Sequence, residues 1–339
     1  MGSEFSIVVM MRETREIAEH FIAYYLHLGA ARIRIFYDGD ADVLQGLAGD
    51  RVQITTCDSS FWHSIGTTAD AGFKTRACAV VNHGFRTLDT DWMLAVDSDE
   101  FVFGGQPIAT LLKSLPDEVE VMRLPVAEAV WRPGDASDAA FSSTAFRVAL
   151  PSGLTALRHA LYPRNARFLT RHGLLGHAEG KQFIRRGAQI DRLTCHRAYR
   201  GDCAVGEWAQ RIDPGLRDLY VGHFDAIGLS RWTQKWRSRS CSDTAHDRLS
   251  PSRTRQMHAI AAATRSGATS PRQMFRDLYR LSSWQYAVLS MLGCAFQRSI
   301  FADLNVASPD GALKDVGWWY HLPGSNGGPL DPQSSALTY

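Results

Sequence analysis

Residues 6–42 read SIVVMMRETREIAEHFIAYYLHLGAARIRIFYDGDAD. The apolar run SIVVMM (6–11) reads as a short buried strand. Thr14 then opens a helix with Ile17, Phe21, Ile22, Tyr25 and Leu28 on one face, and Gly29 ends it. RIRIFY (32–37) is a second strand, closed by the turn DGD. The rhythm continues outward. VQITT (52–56) is a third strand, and a long helix follows with Phe73, Ala77, Val80, Val81, Phe85 and Leu88 at helical spacing. WMLAV (92–96) is a fourth strand. Pro107 suits the first turn of a short helix through Leu115, and VEVMRL (119–124) is a fifth strand. Strands alternating with helices imply right-handed βαβ units and a mostly parallel sheet.

Ligands of such sheets bind beyond the carboxyl ends of the strands. That rule places Met11–Glu13, Asp38–Asp40, Cys57–Ser60 and Asp97–Glu100 along one rim. The last group, in WMLAVDSDEF (92–101), packs three acids directly after an apolar strand. Hard divalent cations such as Mg²⁺ and Mn²⁺ prefer carboxylate oxygens, and two Asp residues around a small Ser98 can aim at one ion. An EF-hand loop is excluded, because Phe101 and Val102 stand where it needs further ligands and glycine. A solvated turn is the other reading of the three acids.

Composition sets the frame. The chain has 339 residues, 45% hydrophobic and 21% charged, with a formal net charge of +2. A globular protein of one large or two modest domains is expected. The charge balance argues for neither a nucleic-acid nor a membrane partner. The six cysteines (57, 78, 195, 203, 241, 294) form no C-x-x-C pair, which excludes a zinc ribbon or a thioredoxin-type motif. Reduced thiols are expected, with Cys195 and Cys203 as the one pair that could join. MGSEF at the N-terminus reads as an expression scar, and no run is long enough for a transmembrane helix. YAVLSMLGCAF (286–296) reads as a buried helix, with an interfacial helix as the alternative.

After residue 125 the pattern loosens. KQFIRR (181–186) is a short strand, and from about 204 the chain reads as helical. Ser250-Pro251 and Ser270-Pro271 each read as an N-cap followed by Pro at N1. The tail from 307 is rich in Gly, Pro and Ser.

Three segments in order resemble bacterial family 2-like glycosyltransferases. The first is VVMMRETREIAEHFIAYYLHLGAARIRIFYDGDAD, with Arg12-Glu13, Glu19 to Tyr25, Leu28-Gly29 and Tyr37-Asp38-Gly39 matching. The second is WMLAVDSDEF, similar to W-x-x-x-x-D-x-D-E-F. The third is VGHFDAIGLSRWTQKWRSR, with His223, Phe224, Ser230 and Lys235 matching. The chain departs from the family where Glu13 directly follows Arg12 and where DGDAD shortens a longer turn.

The resemblance implies an α/β, GT-A, Rossmann-like, mostly parallel sheet flanked by helices, with a helical C-terminal part. Residues 6–125 would be the nucleotide-sugar half and 126–240 the acceptor half. Residues 241–306 would form a helical extension and 307–339 a loop-rich tail. Asp38 would accept the N–H of a uridine-like base, where an ordinary Asp-Gly turn is the other reading. Arg12 and Glu13 would lie near base and ribose, and Lys74 would reach a phosphate. Asp97 and Asp99 would hold Mn²⁺ or Mg²⁺ against the donor diphosphate, with Ser98 also at the donor and Glu100 supporting the turn. His196 and His223 are candidates for a further metal ligand.

Glu179 in GHAEGKQF is the candidate catalytic base, with Asp135 and Glu128 as rivals. Arg185 and Arg186 could meet an anion. Trp62, Trp131 and Trp208 could stack on sugars, although core packing is the default. In RWTQKWRSR, Trp232 and Trp236 share a face, as in a packed helix with a solvated basic side. The expected activity is a metal-dependent, inverting transfer from a nucleotide-diphosphate sugar, UDP-linked, to a surface glycan or glycolipid. Expected localisation is cytoplasmic or peripheral at the inner membrane face, with oligomeric state open. A nucleotidyltransferase, which would need a Gly-rich loop after the first strand, and a degenerate sugar-nucleotide-binding protein are the alternatives.

Overall fold

The computed structural model describes residues 3–135, 140–240, 250–266 and 270–301. The tail expected at 307–339, the first nine residues of the extension expected from 241, and Cys241 lie outside the described residues.

The chain opens with Phe5–Met11 (β1), Arg15–His27 (α1), Arg32–Tyr37 (β2) and Val52–Thr56 (β3). Next come Ser59–Ser64 (α2), Phe73–Arg86 (α3), Trp92–Ala95 (β4), Glu100–Phe103 (β5) and Ile108–Ser114 (α4). Val121–Leu124 (β6), Val126–Val130 (β7), Ala145–Val148 (β8), Leu157–Leu161 (α5) and Lys181–Arg185 (β9) follow. Three short strands, Arg192–Leu193 (β10), Ala198–Arg200 (β11) and Cys203–Val205 (β12), form a small antiparallel sheet. Then come Glu207–Trp208 (β13), Ala209–Ile212 (α6), Tyr220–His223 (β14) and Leu229–Ser240 (α7). Pro251–Ser266 (α8), Pro271–Tyr279 (α9), Ser283–Met291 (α10) and Ala295–Gln297 (β15) complete the described chain.

The main sheet has seven strands in the order β13-β6-β9-β4-β1-β2-β3. All pairs are parallel except those made by β9, which runs antiparallel to both β4 and β6. This is the mostly parallel, helix-flanked α/β architecture expected from the sequence. A second sheet has the order β15-β8-β7-β14-β5.

The two sheets are joined where the function was expected. β4 ends in the main sheet at Ala95, the chain turns through Asp97-Ser98-Asp99, and Glu100 begins β5 in the second sheet. The acids are therefore a sheet-to-sheet crossover that leads directly into a further strand, which is why β5 escaped the sequence pattern. Helix α1 fixes the crossover from behind. Tyr25 Oη donates to the Glu100 carbonyl at 2.8 Å, and Tyr24 Oη to the Val102 carbonyl at 2.7 Å. Phe101 is fully buried among Phe21, Tyr24, Phe141 and Phe224, a burial that contributes roughly 1.5–3 kcal/mol. A second crossover runs from β6 through Pro125 to β7. Gly180, at φ +66°, leans on it so closely that a Cβ would stand 1.8 Å from the Leu124 carbonyl oxygen.

Several local expectations are corrected. Phe73 is 60% exposed, because α3 begins there and its first turn faces solvent. The stretch from 204 is not helical at first: β12, β13 and β14 intervene before α7, since strands of two to four residues are too short to show a period. Helix α10 buries only Leu289. Trp62 and Trp131 are core residues, 0% and 1% exposed, and leave no ring for a sugar. The N-cap expected at Ser270 is present, its side chain accepting from the Gln273 N–H, with Pro at the helix start.

Glu128, a rival for the catalytic base, is committed to structure. It accepts from Arg147 Nε at 2.8 Å and from the Leu175 and Gly176 N–H groups at 3.0 and 2.6 Å, with both side chains 1% exposed. The pair holds β7 to β8 and both to the loop before His177. Arg147→Met should lower unfolding free energy by roughly 3–5 kcal/mol, because it strands a buried carboxylate. Urea denaturation checks this, and a loss below about 1 kcal/mol would contradict the assigned role.

Candidate active site

The rim is built from the ends of β1, β2 and β4, the start of β5 and β9, and the end of β14. Lys181 is at its centre. Because β9 is antiparallel, its first residue stands at the carboxyl ends of β4 and β1, where the DxD turn is. Lys181 Nζ lies 3.0 Å from Asp97 Oδ2 and 2.9 Å from Glu100 Oε2, with its side chain 2% exposed. Glu100 Oε2 also accepts the Asp97 N–H at 2.8 Å, so it ties the turn to itself. Burial alone would lower the Lys181 pKa, and Asp97 and Glu100 outweigh it, keeping the ammonium charged. Burial likewise pushes Asp97 up, and Lys181 outweighs it, holding that carboxyl well below the usual range. For Glu100 burial wins and its pKa is raised.

Asp99 faces the other way. Its Oδ2 is 3.3 Å from Lys235 Nζ on α7 and 3.8 Å from His223 Nε2 at the end of β14. Lys235 is shared with buried Asp225, at 3.3 Å. Asp225 is held in turn by Arg253 of α8 and by Tyr279 Oη of α9, at 2.6 and 2.5 Å. Its pKa is set well below the usual range, because Arg253 and Lys235 overcome burial.

The first rim loop follows the same pattern. Glu13 is paired with Arg231 of α7, and Ser98 Oγ lies 3.4 Å from Glu13 Oε1. Asp38 is paired with Arg76 of α3 at 2.6 Å, and Arg76 stacks over Trp62. Each rim carboxylate named thus has a basic partner. Arg12 is exposed on the first loop, and Lys74 is exposed in the first turn of α3.

Three histidines gather above Lys181. The His177 ring centroid is 4.1 Å from that of His196 and 5.6 Å from that of His223. His196 Nδ1 is 3.1 Å from the Gly180 carbonyl, so this nitrogen carries the proton and Nε2 the lone pair. Burial and then Lys181 push His196 down to about 4, and burial with its two neighbours pushes His177 down to about 2. Both are neutral at physiological pH. His177 Nδ1 and His223 Nδ1 are buried with no hydrogen-bond partner among the described residues.

The donor set can be tested against a divalent ion. No group of three or more His, Cys, Asp and Glu that could hold a metal is preformed among the described residues. Mg²⁺-type sites do not require one, since such ions are bound by one or two carboxylates plus substrate phosphates and water. Donors about 2.1 Å from a shared ion stand roughly 3–4 Å apart. The 3.8 Å between Asp99 Oδ2 and His223 Nε2 is within that span, and the Asp97 side chain is 41% exposed. The residues fit a hard divalent ion at Asp99, with Lys235 as its competitor.

Of the predicted residues, Asp97, Ser98, Asp99, Glu13 and His223 come together, with Asp38 on the same rim beside Arg76. His196 packs on His177, and no contact of either with Asp99 is formed. Glu179 is half exposed and paired with Arg197 at 3.2 Å. Arg185 is at the opposite end of β9, clamped to the Leu115, Pro116 and Val119 carbonyls, so it cannot meet an anion at the rim. Asp135 is bonded to the Arg132 N–H. Cys195 meets Cys78, not Cys203, with sulfurs 3.7 Å apart and unbonded. On α7, Trp232 and Trp236 are buried as expected, but Arg231 and Lys235 reach the rim instead of solvent. Sequence reasoning missed Arg76, Arg231 and Arg253 as partners of the acids, and gave Lys181 no role. Only Lys235 carried a signal, as a matching position of the third segment.

No protein-family profile matches the chain, and no curated protein is similar to it. Among solved structures it is similar to glucosyl-3-phosphoglycerate synthase from Mycobacterium tuberculosis in complex with Mn²⁺, uridine diphosphate and phosphoglyceric acid. Identity is 14% and TM-score 0.29, over 55% of this chain and 56% of that one. It is also similar to residues 1–349 of TarS from S. aureus, at 12% identity and TM-score 0.28, over 80% and 74%. The chain thus spans little more than half the length of the first, and likenesses this distant carry no weight for the site.

Lys181→Met should cost roughly 3–5 kcal/mol at neutral pH, because it leaves Glu100 buried beside Asp97 with no counter-charge. With Lys181 present, the depressed Asp97 contributes stability above its unfolded pKa near 4, lost as pH falls through the folded value. Without it, both carboxyls are raised, so the variant's stability declines as pH rises through their folded values. Urea denaturation at pH 5 and 7.5 should show the deficit shrinking toward acid. A deficit independent of pH would rule out the buried triad.

Proposed function

We propose that the chain is a glycosyltransferase that moves a sugar from a nucleoside-diphosphate sugar, UDP-linked, to a hydroxyl of a surface glycan or glycolipid, with inversion. The observation that carries this reading is the pair Asp99 and His223, set at the bite of a divalent ion on the ligand rim of a mostly parallel sheet. The order of the three sequence segments supports it.

In this reading Asp99 and His223 would hold Mn²⁺ or Mg²⁺ together with the donor phosphates, and Asp97, which faces Lys181, would join them only by turning its side chain. A bound ion offsets the negative charge that builds on the leaving diphosphate. Lys235 then keeps Asp225 as its counter-charge when it yields Asp99. Asp38 and Arg76 offer an acceptor and a donor side by side, the pairing that a uracil edge requires, with Arg12 and Glu13 toward the ribose. Lys74 meets phosphate from solvent. His196, neutral with its lone pair on Nε2, can offer a metal contact and adds no charge. Glu179 serves as the base for the acceptor hydroxyl once its exposed pairing with Arg197 is broken, an exchange that costs little at the surface.

A thermal-shift panel of nucleoside diphosphates with and without Mn²⁺ should give metal-dependent stabilisation by UDP. Asp99→Asn should remove the metal dependence and leave the fold unchanged. No shift by any nucleotide under any metal would refute the donor assignment. Glu179→Gln should lower turnover about 10²-fold with donor binding retained. Full turnover in that variant would move the base elsewhere.

A further inference from the structure

Helix α10 carries its apolar side outward. It contains no charged residue, and among its side chains only Leu289 is buried. Trp284 is 55% exposed, Met291 79% and Leu292, just beyond the helix, 36%. Trp284, Ala287 and Met291 recur at intervals of three and four, so they share one face, and Ala287 is exposed as well. An exposed Trp and Met on one helical stripe is apolar area that a soluble surface would not retain without use.

The helix is held firmly. A capping box joins Ser282 and Gln285, and Gln285 Nε2 also donates to the Leu161 carbonyl at 2.7 Å. Trp284 is therefore fixed in the first turn.

Beside Trp284 opens a cleft of about 530 Å³, between residues 160–165, α9 and the start of α10. Its charged lining is Arg164, Arg276, Arg280 and Asp277; Arg164 is exposed, Arg280 donates to the Asp135 carbonyl, and Asp277 accepts from Gln273 at 2.7 Å. The basic surface continues past the cleft. Arg255 of α8 donates to the Arg167 carbonyl at 2.6 Å, which seats both guanidinium-bearing residues beside the same loop. The cleft shares no lining residue with the DxD rim.

An outward Trp and Met stripe adjoining a basic cleft matches the chemistry of one surface in particular. Tryptophan settles at the level of lipid headgroups, methionine enters the acyl boundary, and arginine binds lipid phosphate. No described helix is long and apolar enough to cross a membrane, so such contact would be in the plane of the surface.

We propose that α10 and the adjoining cleft dock the protein on an anionic lipid bilayer. Trp284, Ala287, Met291 and Leu292 enter the headgroup boundary, and the exposed Arg164 takes lipid phosphate. This goes beyond the transferase reading and does not rest on it, because the test reads binding and not turnover.

The full chain is sedimented with vesicles of phosphatidylcholine, and with vesicles in which roughly one lipid in three is phosphatidylglycerol. The expected result is binding to the anionic vesicles that weakens as salt is raised. Trp284→Ser with Met291→Ser should lower the partition by roughly tenfold or more. Arg164→Glu should narrow the preference for anionic over neutral vesicles. All three positions are exposed, and unchanged circular dichroism and melting will show that the variants fold. Absence of anionic vesicle binding overturns the proposal. So does binding that the apolar double variant leaves intact. A concentration-dependent dimer that the double variant dissolves, with no vesicle binding, would assign the face to a second copy and overturn it too.

Discussion

Lys181 is the charge on which the rim depends. A lysine 2% exposed, between a fully buried Glu100 and the first Asp of the D-x-D turn, can stay charged there only because these carboxyl groups outweigh its burial. That demand fixes three pieces of chain at once. β9 must run antiparallel so that its first residue reaches the carboxyl end of β4. Gly180 must precede it, since no side chain fits against the Leu124 carbonyl. The chain after Asp97 must turn at once into β5, so that Glu100 comes back under the lysine. The sheet-to-sheet crossover and the charged centre are one construction.

The helical C-terminal part supplies a second centre and joins it to the first. Asp225 collects Arg253 from α8, Tyr279 from α9 and Lys235 from α7, and Lys235 extends to Asp99. The packing of three helices thereby sets where one ammonium stands at the rim. Buried networks of this sort seldom add net stability, yet breaking one member is costly. Their effect here is positional: Lys235 stands 3.3 Å from Asp99, which lies 3.8 Å from His223.

The first βαβ units were legible because long helices and buried strands each carry a clear period. The acids after β4 were legible because sheet topology puts strand ends at the ligand rim. The rest needed three dimensions. β5 has four residues, and they follow the acids directly, so no period marks it. Glu128 reads as a polar residue on a strand, and only its contacts with Arg147 and two loop N–H groups show that it is spoken for. Arg185 and Lys181 lie on the same strand, and sequence does not reveal which end meets the rim. Trp62 and Trp131 look like sugar platforms in loose sequence and are core. α10 was read as buried from its apolar composition, and composition does not say which side faces out.

These elements make the central claim a matter of where an ion goes. Anomalous diffraction from crystals grown with Mn²⁺ and UDP tests it directly. The expected result is a manganese peak bonded to Asp99 and His223, with the diphosphate completing its shell and the Lys235 ammonium withdrawn onto Asp225. A manganese peak away from Asp99, or UDP bound with Lys235 still on Asp99 and no ion beside it, would contradict it.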